Sequence, residues 1–344
     1  MFHFTSCLRA GLTVFSVSPW WIPALAFGSA LNPDISGIGN VIAEGSDRAR
    51  LERPVGMSLE EAEVALQSVV DPYFRADLFL SFHGEAPPEV EEAYASTLAL
   101  PLNMKLRAGK MHVTFGKFNL SHSHTWLTTT PPLLADAFFG SDAWVDTGAE
   151  LSWLAPLPTF HEISVSALRG NNSAAFSGGA SRHWTGLAHL RNYFDVREDT
   201  SLEIGASAAN GPSDSFLSAT RIFGADLIVR WKPLEANVRH SVTFQSEAAD
   251  LYDSYTGTRR RGVWALLDMQ PAQRWHFAVR WDFVGPASGG VEANYALTEV
   301  VSFSPTEFSN TKLEIKQLRD PVNHWSEARL QFQFAIGAHG AHPY

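Results

Sequence analysis

Residues 119–132 read NLSHSHTWLTTTPP, and the two histidines at His122 and His124 are the residues best suited to chemistry. In an extended backbone, positions i and i+2 share a face, so both imidazoles would point the same way. Two such nitrogens suit zinc or copper. They do not complete a site, because structural zinc takes four ligands and catalytic zinc three plus water. His112, Asp136 and Asp142 are candidates for a third ligand, and the spacing selects none of them. The plainer alternative is two loop histidines hydrogen-bonded to neighbouring backbone. Ser121 beside His122 and His124 raises the idea of a hydrolase. The chain has no Gly-x-Ser-x-Gly element and no other acid–base constellation, so no enzyme is expected. No cofactor is expected either, apart from a zinc ion at His122 and His124.

Two other groups attract notice. His339 and His342 lie in the ending GAHGAHPY, and Thr258 to Arg261 form the basic cluster TRRR. The ending shares parity among Phe332, Phe334, Ile336 and Tyr344, which suits a membrane-insertion signal better than a metal site. The arginines suit lipopolysaccharide phosphates, an anion gate or plain solvation.

What these residues do depends on the elements that carry them. Arg9 is the only charge before residue 34, and the apolar run AGLTVFSVSPWWIPALAFGSA follows it. Residues 1–30 therefore read as an export signal, with cleavage after Ala26 or Ala30. The single cysteine, Cys7, lies inside it, which leaves no disulfide framework and no thiolate metal site. Loss of Arg9 takes the formal net charge from −10 to about −11, the wrong sign for a nucleic-acid partner. Charged residues make up 18% and aromatics 12%, yet mean hydropathy is −0.08. Large apolar groups must then be finely interleaved with polar ones.

The interleaving has period 2. YFRADLFLSF puts Phe74, Ala76, Leu78, Leu80 and Phe82 on one face and Arg75, Asp77 and Ser81 on the other. HFAVRWDF, FGADLIVRWK and RLQFQFAI repeat the pattern. Short connections such as VDPY, LPLN and KPLE alternate with longer polar ones such as HGEAPPE, NNSAAFSGGASRH and EAADLYDSYTGTRRR. Segment 46–57 would be another external loop. This predicts an all-β fold: a transmembrane antiparallel barrel of about 16 strands, with short periplasmic turns and long external loops. The count drops to about 14 if MSLEEAEVALQSVV and DISGIGNVI are not strands. Residues 31–344 would form the single barrel domain. The charges sit on the face opposite the hydrophobes: Arg75, Asp77, Glu92, Lys105, Arg107, Arg191, Arg230, Arg239, Arg280 and Asp282 are the expected pore-lining residues. A small soluble barrel would reverse this arrangement. Trp153, Trp184, Trp231, Trp275, Tyr193 and Tyr295 are candidates for interfacial girdles. Segment 116–145 is by far the longest connection and carries Leu133, Leu134, Phe138, Phe139 and Trp144. It should be ordered, either as a constriction in the lumen or as a lid over the mouth.

The pieces LNPDISGIGN, EAEVALQSVVDPYFRADLFLSF, VEEAYASTLALPLNMKLRAGKMHVTFGKFN and LQFQFAIGAHGAHPY resemble a group of Gram-negative outer-membrane proteins. That group is similar to the phosphate-selective porin O/P type, and some members are labelled TonB-dependent receptors. The resemblance implies an outer-membrane barrel, and His122 and His124 match a His-x-His-like element there by position. The receptor label fits poorly, because such receptors hold a plug domain within about 22 strands. Phosphate selectivity does not carry over, since the inward faces mix both signs of charge. The expectation is a bacterial outer-membrane channel for small hydrophilic solutes. The expected partners are membrane lipid, lipopolysaccharide and, through the last strand, the barrel-assembly machinery. A metal-handling protein using His122 and His124 and a transporter of hydrophobic substrates are the alternatives.

Overall fold

The computed structural model describes residues 33–48, 55–84, 86–141, 143–172, 174–176, 184–213, 218–235, 239–285 and 293–337. The expected export signal, Asp142, His339 and His342 lie outside these residues. Sixteen strands account for most of the chain: β1 (Asp34–Ser46), β2 (Val55–Val69), β3 (Phe74–Phe82), β4 (Glu89–Thr97), β5 (Met104–His112), β6 (Val145–Leu154), β7 (Phe160–Leu168), β8 (Thr185–Arg197), β9 (Thr200–Pro212), β10 (Ala219–Trp231), β11 (Ser241–Asp253), β12 (Arg259–Ala272), β13 (Trp275–Gly285), β14 (Asn294–Thr306), β15 (Ser309–Arg319) and β16 (His324–Gly337). Each pairs antiparallel with its sequence neighbours, and β16 closes on β1 with Val41 opposite Phe332. Closure leaves no unpaired edge, the condition for strands to cross lipid.

Strand β13 shows how the sequence dictates the orientation. Trp275, Phe277, Val279 and Trp281 are 40–44% exposed, whereas Arg280 and Asp282 are 1% and 0% exposed. Hydrophobes outside and charges inside is the reverse of a soluble protein. The outer face continues through Leu151, Val165, Phe223 and Leu313, and through Leu330, Phe332, Phe334 and Ile336 of β16. Because the side-chain period is 2, a one-residue slip would turn Arg280 and Asp282 into the lipid.

The strands run further out than their apolar stretches suggest. β11 and β12 continue to Asp253 and from Arg259, so the connection expected at 247–261 shrinks to 254–258. Likewise only 320–323 separate β15 from β16, and 47–54 separate β1 from β2. Pairing of polar residues above the membrane, such as Asp250 with Arg261, extends the ladder where lipid no longer selects apolar side chains. Arg239 is a correction: it sits exposed in the turn before β11, whose ladder begins only at Ser241 opposite Gln270. Tyr193 is another. It shares parity with Arg191 and pairs with Phe160, so it turns inward, and Phe194 takes the outward place. The other girdle candidates face out. Trp153, Trp231 and Trp275 are at the short-turn end, and Trp184 and Tyr295 are at the long-loop end.

The outward belt is testable at its middle. Leu313→Arg, at an outward position between Val301 and Leu330, should destabilise the folded barrel by about 2–4 kcal/mol, measured by denaturant titration in lipid vesicles. An unchanged midpoint would mean that this position does not face hydrocarbon.

Candidate functional site

After β5 the chain turns into the barrel instead of away from it. Residues 113–141 fold within the lumen, and a clasp to Trp144 closes the base of this loop. Asn119 donates its side-chain amide to the carbonyls of Val113 (2.6 Å) and Trp144 (3.0 Å), and its Oδ1 accepts the Trp144 N–H at 2.6 Å. Gly116 begins the reversal at φ +62°, where a Cβ would meet Glu247 Oε2 at 2.9 Å. Its N–H donates to Ser207 Oγ at 2.9 Å, and the next two N–H groups, of Lys117 and Phe118, donate to Glu247 Oε1 at 2.8 and 2.6 Å.

The far half of the loop is gripped in the same way. Glu314 accepts the Thr129 N–H at 2.6 Å and the Thr130 hydroxyl at 2.8 Å. Asp282 accepts the Leu133 N–H at 3.1 Å at the start of helix α1 (Leu133–Phe139). Arg280 donates to the Thr128 hydroxyl and to the carbonyls of Thr130 and Pro131 at 2.5, 2.7 and 3.0 Å, while its Nε holds Asp282 at 2.8 Å. Lys312 donates to the Trp126 carbonyl.

The loop's apolar face packs on one side of the lumen. Phe115, Phe118, Trp126, Leu134, Phe138, Phe139 and Trp144 join Ile222, Leu251, Trp264 and Leu266, which project inward from β10 to β12. The polar face looks the other way, across a cavity of about 790 Å³ reached by Asn40, Glu61, Glu91, His112, Lys316 and Arg329. Acidic groups of β2 and β4 thus share this cavity with basic groups of β15 and β16, along one stretch of wall joined by β1.

The two histidines of the opening motif are in that polar face and are brought together, with ring centroids 5.5 Å apart. They are almost fully buried. His112, one of three candidates for a third ligand, lies beside His122 at a centroid distance of 4.7 Å. Asp136 lines the cavity without joining them. The structure adds carboxylates that the motif did not reveal. His122 Nδ1 lies 3.2 Å from Glu63 Oε2 and 3.4 Å from Glu91 Oε1, and its Nε2 lies 3.1 Å from Glu92 Oε2. His124 Nδ1 lies 3.6 Å from Glu63 Oε2, His112 Nε2 lies 3.4 Å from Glu91 Oε1, and Ser123 donates to Glu61. Burial opposes charging His122, but contact with Glu63, Glu91 and Glu92 outweighs it and raises its pKa well above the usual imidazole value.

Two β-bulges deliver these carboxylates. In β2 the register steps from Asn40↔Glu61 to Val41↔Leu59, which leaves Glu60 as the extra residue. In β4 it steps from Phe79↔Glu92 to Leu80↔Val90, which leaves Glu91 as the extra residue. A bulge re-aims a side chain that strict alternation would send to the other face. Glu60 and Glu61 both reach the cavity, and Glu91 and Glu92 both reach His122. The usable signal in the sequence was the adjacent pairs Glu60–Glu61 and Glu91–Glu92, which no simple alternation can keep out of lipid.

The remaining expected pore-lining residues face the interior. Arg75 pairs with Asp77 at 2.9 Å, Arg107 with Glu150 at 3.1 Å and Arg191 with Glu203 at 2.9 Å. Lys105 is exposed near the short-turn end, and Arg230 lies in a small cavity beneath the loop. The TRRR cluster divides. Arg260 reaches inward to the Ala137 carbonyl at 2.9 Å, while Arg259 and Arg261 clasp Asp250 at 2.8 and 2.7 Å.

No family model matches the chain. An uncharacterized protein of Aquifex aeolicus is 28% identical, with 87% of this chain aligned to 72% of that one. Among solved structures, OmpT, an outer membrane protein of Vibrio cholerae, in a form lacking loop L8, superposes with a TM-score of 0.62 at 8% identity. That match covers 89% of this chain and 99% of the other. An anion-selective porin from Comamonas acidovorans gives the same values. OprB of Pseudomonas putida gives 0.56 at 9% identity, covering 89% of this chain and 94% of that one. The fold is therefore that of the outer-membrane porins. Together with the apolar belt around a closed barrel, it makes this chain a bacterial outer-membrane protein.

Arg280 is the centre of the loop's grip. Arg280→Ala would strand Asp282 in the interior, and breaking a buried pair costs about 3–5 kcal/mol. The expected result is a barrel that still shows heat-modifiable migration but whose segment 126–133 becomes open to protease. Protection equal to wild type would show that the loop does not depend on this grip.

Proposed function

We propose that the protein is a passive channel for small hydrophilic solutes, with the internal loop as its constriction. The carrying observation is the polar cavity between the loop and the wall, which Glu61 and Glu91 line together with Lys316 and Arg329 of neighbouring strands. Charges of both signs along one passage favour small dipolar or zwitterionic solutes over a single anion. A continuous basic ladder, which a phosphate channel would want, is not how these residues are arranged. The neighbours in fold support a channel, one of them an anion-selective porin by description.

Other roles fit less well. Ser121 Oγ donates to the Phe118 carbonyl at 2.5 Å and is committed to the loop's own turn instead of an imidazole, which supports a non-enzymatic barrel. A transporter of hydrophobic substrates with a lateral opening would need a blocked lumen and a kinked apolar strand, whereas a polar cavity of about 790 Å³ remains beside the loop. At the long-loop rim, Arg259 and Arg261 have side chains 51% and 62% exposed on the outer surface. That position suits contact with lipopolysaccharide phosphates. The outward row of β16 suits recognition by the barrel-assembly machinery.

Planar-bilayer recording of the refolded chain should show ohmic steps. Replacing residues 121–130 by a short Gly/Ser linker should raise the step size several-fold, and Lys316→Glu with Arg329→Glu should shift reversal potentials toward cation preference. Absence of any step from both wild type and the linker variant would sink the channel reading.

A further inference from the structure

We infer that His122 and His124 of the loop, with Glu63 of β2 and Glu91 of β4, form a binding site for a divalent transition-metal ion of the zinc type. The site goes beyond the channel reading and stands or falls without it.

The donor atoms already converge. One ring nitrogen each of His122 and His124 and a carboxylate oxygen of Glu63 all lie within 4.8 Å of one another, as do carboxylate oxygens of Glu61, Glu63 and Glu91. The nearest separations are 3.2 Å (His122 to Glu63), 3.4 Å (His122 to Glu91) and 3.6 Å (His124 to Glu63). A tetrahedral ion with bonds of about 2.0–2.1 Å has ligand–ligand edges of roughly 3.3–3.4 Å. Glu63 Oε2 is buried and accepts no well-directed hydrogen bond among the described residues.

The surroundings orient the ligands as metal sites require. A carboxylate can only accept, so His122 turns its Nε2–H to Glu92 Oε2 at 3.1 Å, and the proton that its Nδ1 presents to Glu63 and Glu91 is the one a bound ion would displace. This carboxylate–imidazole pairing fixes the tautomer of a ligating histidine. His112 is fixed likewise: Nδ1–H donates to the Asn119 carbonyl at 2.9 Å, and Nε2 faces Glu91. It stands as a replacement ligand on the cavity side.

Charge makes the same demand. Glu61, Glu63, Glu91 and Glu92 meet histidines, Ser123 and backbone, and none of the partners found among the described residues is Lys or Arg. Buried carboxylates require pairing or a bound cation. Imidazole donors select zinc-like ions over calcium or magnesium, which take oxygen ligands. Glu91 and His112 also line the cavity, which gives the ion a way in. Once bound, it would staple the loop to the wall.

The test uses the full chain in detergent, stripped with chelator and titrated with zinc chloride. One tight zinc per chain is expected. His122→Ala with His124→Ala should abolish it, and Glu92→Gln should weaken it by about 10–100-fold while heat-modifiable migration persists. X-ray absorption of the zinc-loaded wild type should show at least two imidazoles. Equal zinc affinity in wild type and the double variant would overturn the site, as would an all-oxygen shell in the absorption spectrum. If the double variant does not fold, the absorption spectrum decides alone.

Discussion

Charged side chains on the membrane-crossing strands of this protein are housed inside the barrel almost throughout, Glu299 of β14 being an outward exception, and much of the structure follows from that requirement. Lipid tolerates a charge at its centre only at a cost of several kcal/mol, so alternation sends Arg280, Asp282, Glu314 and Lys312 inward. Each of these is 5% exposed or less, so the lumen at their level does not solvate them freely. They need partners, and their strand neighbours supply only some. Asp282 has Arg280, but Glu314 finds its donors on the loop.

The loop answers this need mainly with its backbone. Wall carboxylates accept N–H groups of residues 117, 118, 129 and 133, and wall cations donate to carbonyls of residues 126, 130, 131 and 137. The segment's own charge adds to this at Lys117, 3.4 Å from Glu203, and at His122 beside Glu63, Glu91 and Glu92. The wall therefore recognises the loop much as a protein recognises a bound peptide. A buried polar group left without its partner costs more than the bond contributes, so these contacts place the loop more than they stabilise it.

This also explains what could be read in the sequence. Period-2 alternation is strong because lipid enforces it, and it fixed the closed barrel, its sixteen strands and the inward set of charges. The ordered loop was legible in the apolar residues Leu133, Phe138 and Trp144. The alternation fails where lipid does not act. Above the membrane it gives no reason to continue β11 to Asp253, and in the turn at Arg239 it counts a residue that no ladder holds. Within β12, Trp264 and Leu266 sit inward between outward Val263, Ala265 and Leu267. A run apolar on both faces is the mark of a wall that something covers, and in this chain the cover is the loop.

The bulges at Glu60 and Glu91 show why the histidine motif was only half legible. Read with unbroken period 2, one member of each Glu–Glu pair belongs in lipid. The two bulges turn both members inward, at one level of the barrel and beside the loop's histidines. A bulge interrupts the ladder and weakens pairing locally, so two of them facing one histidine cluster need a common reason. The amphipathic character of the loop gives the geometric part of that reason. Its aromatic face is taken by β10 to β12, so its His122–His124 face can look only toward β2 and β4. The acidic pairs and the histidines thus belong to one arrangement: the apolar wall sets the loop's orientation, and the bulges bring the carboxylates to meet it.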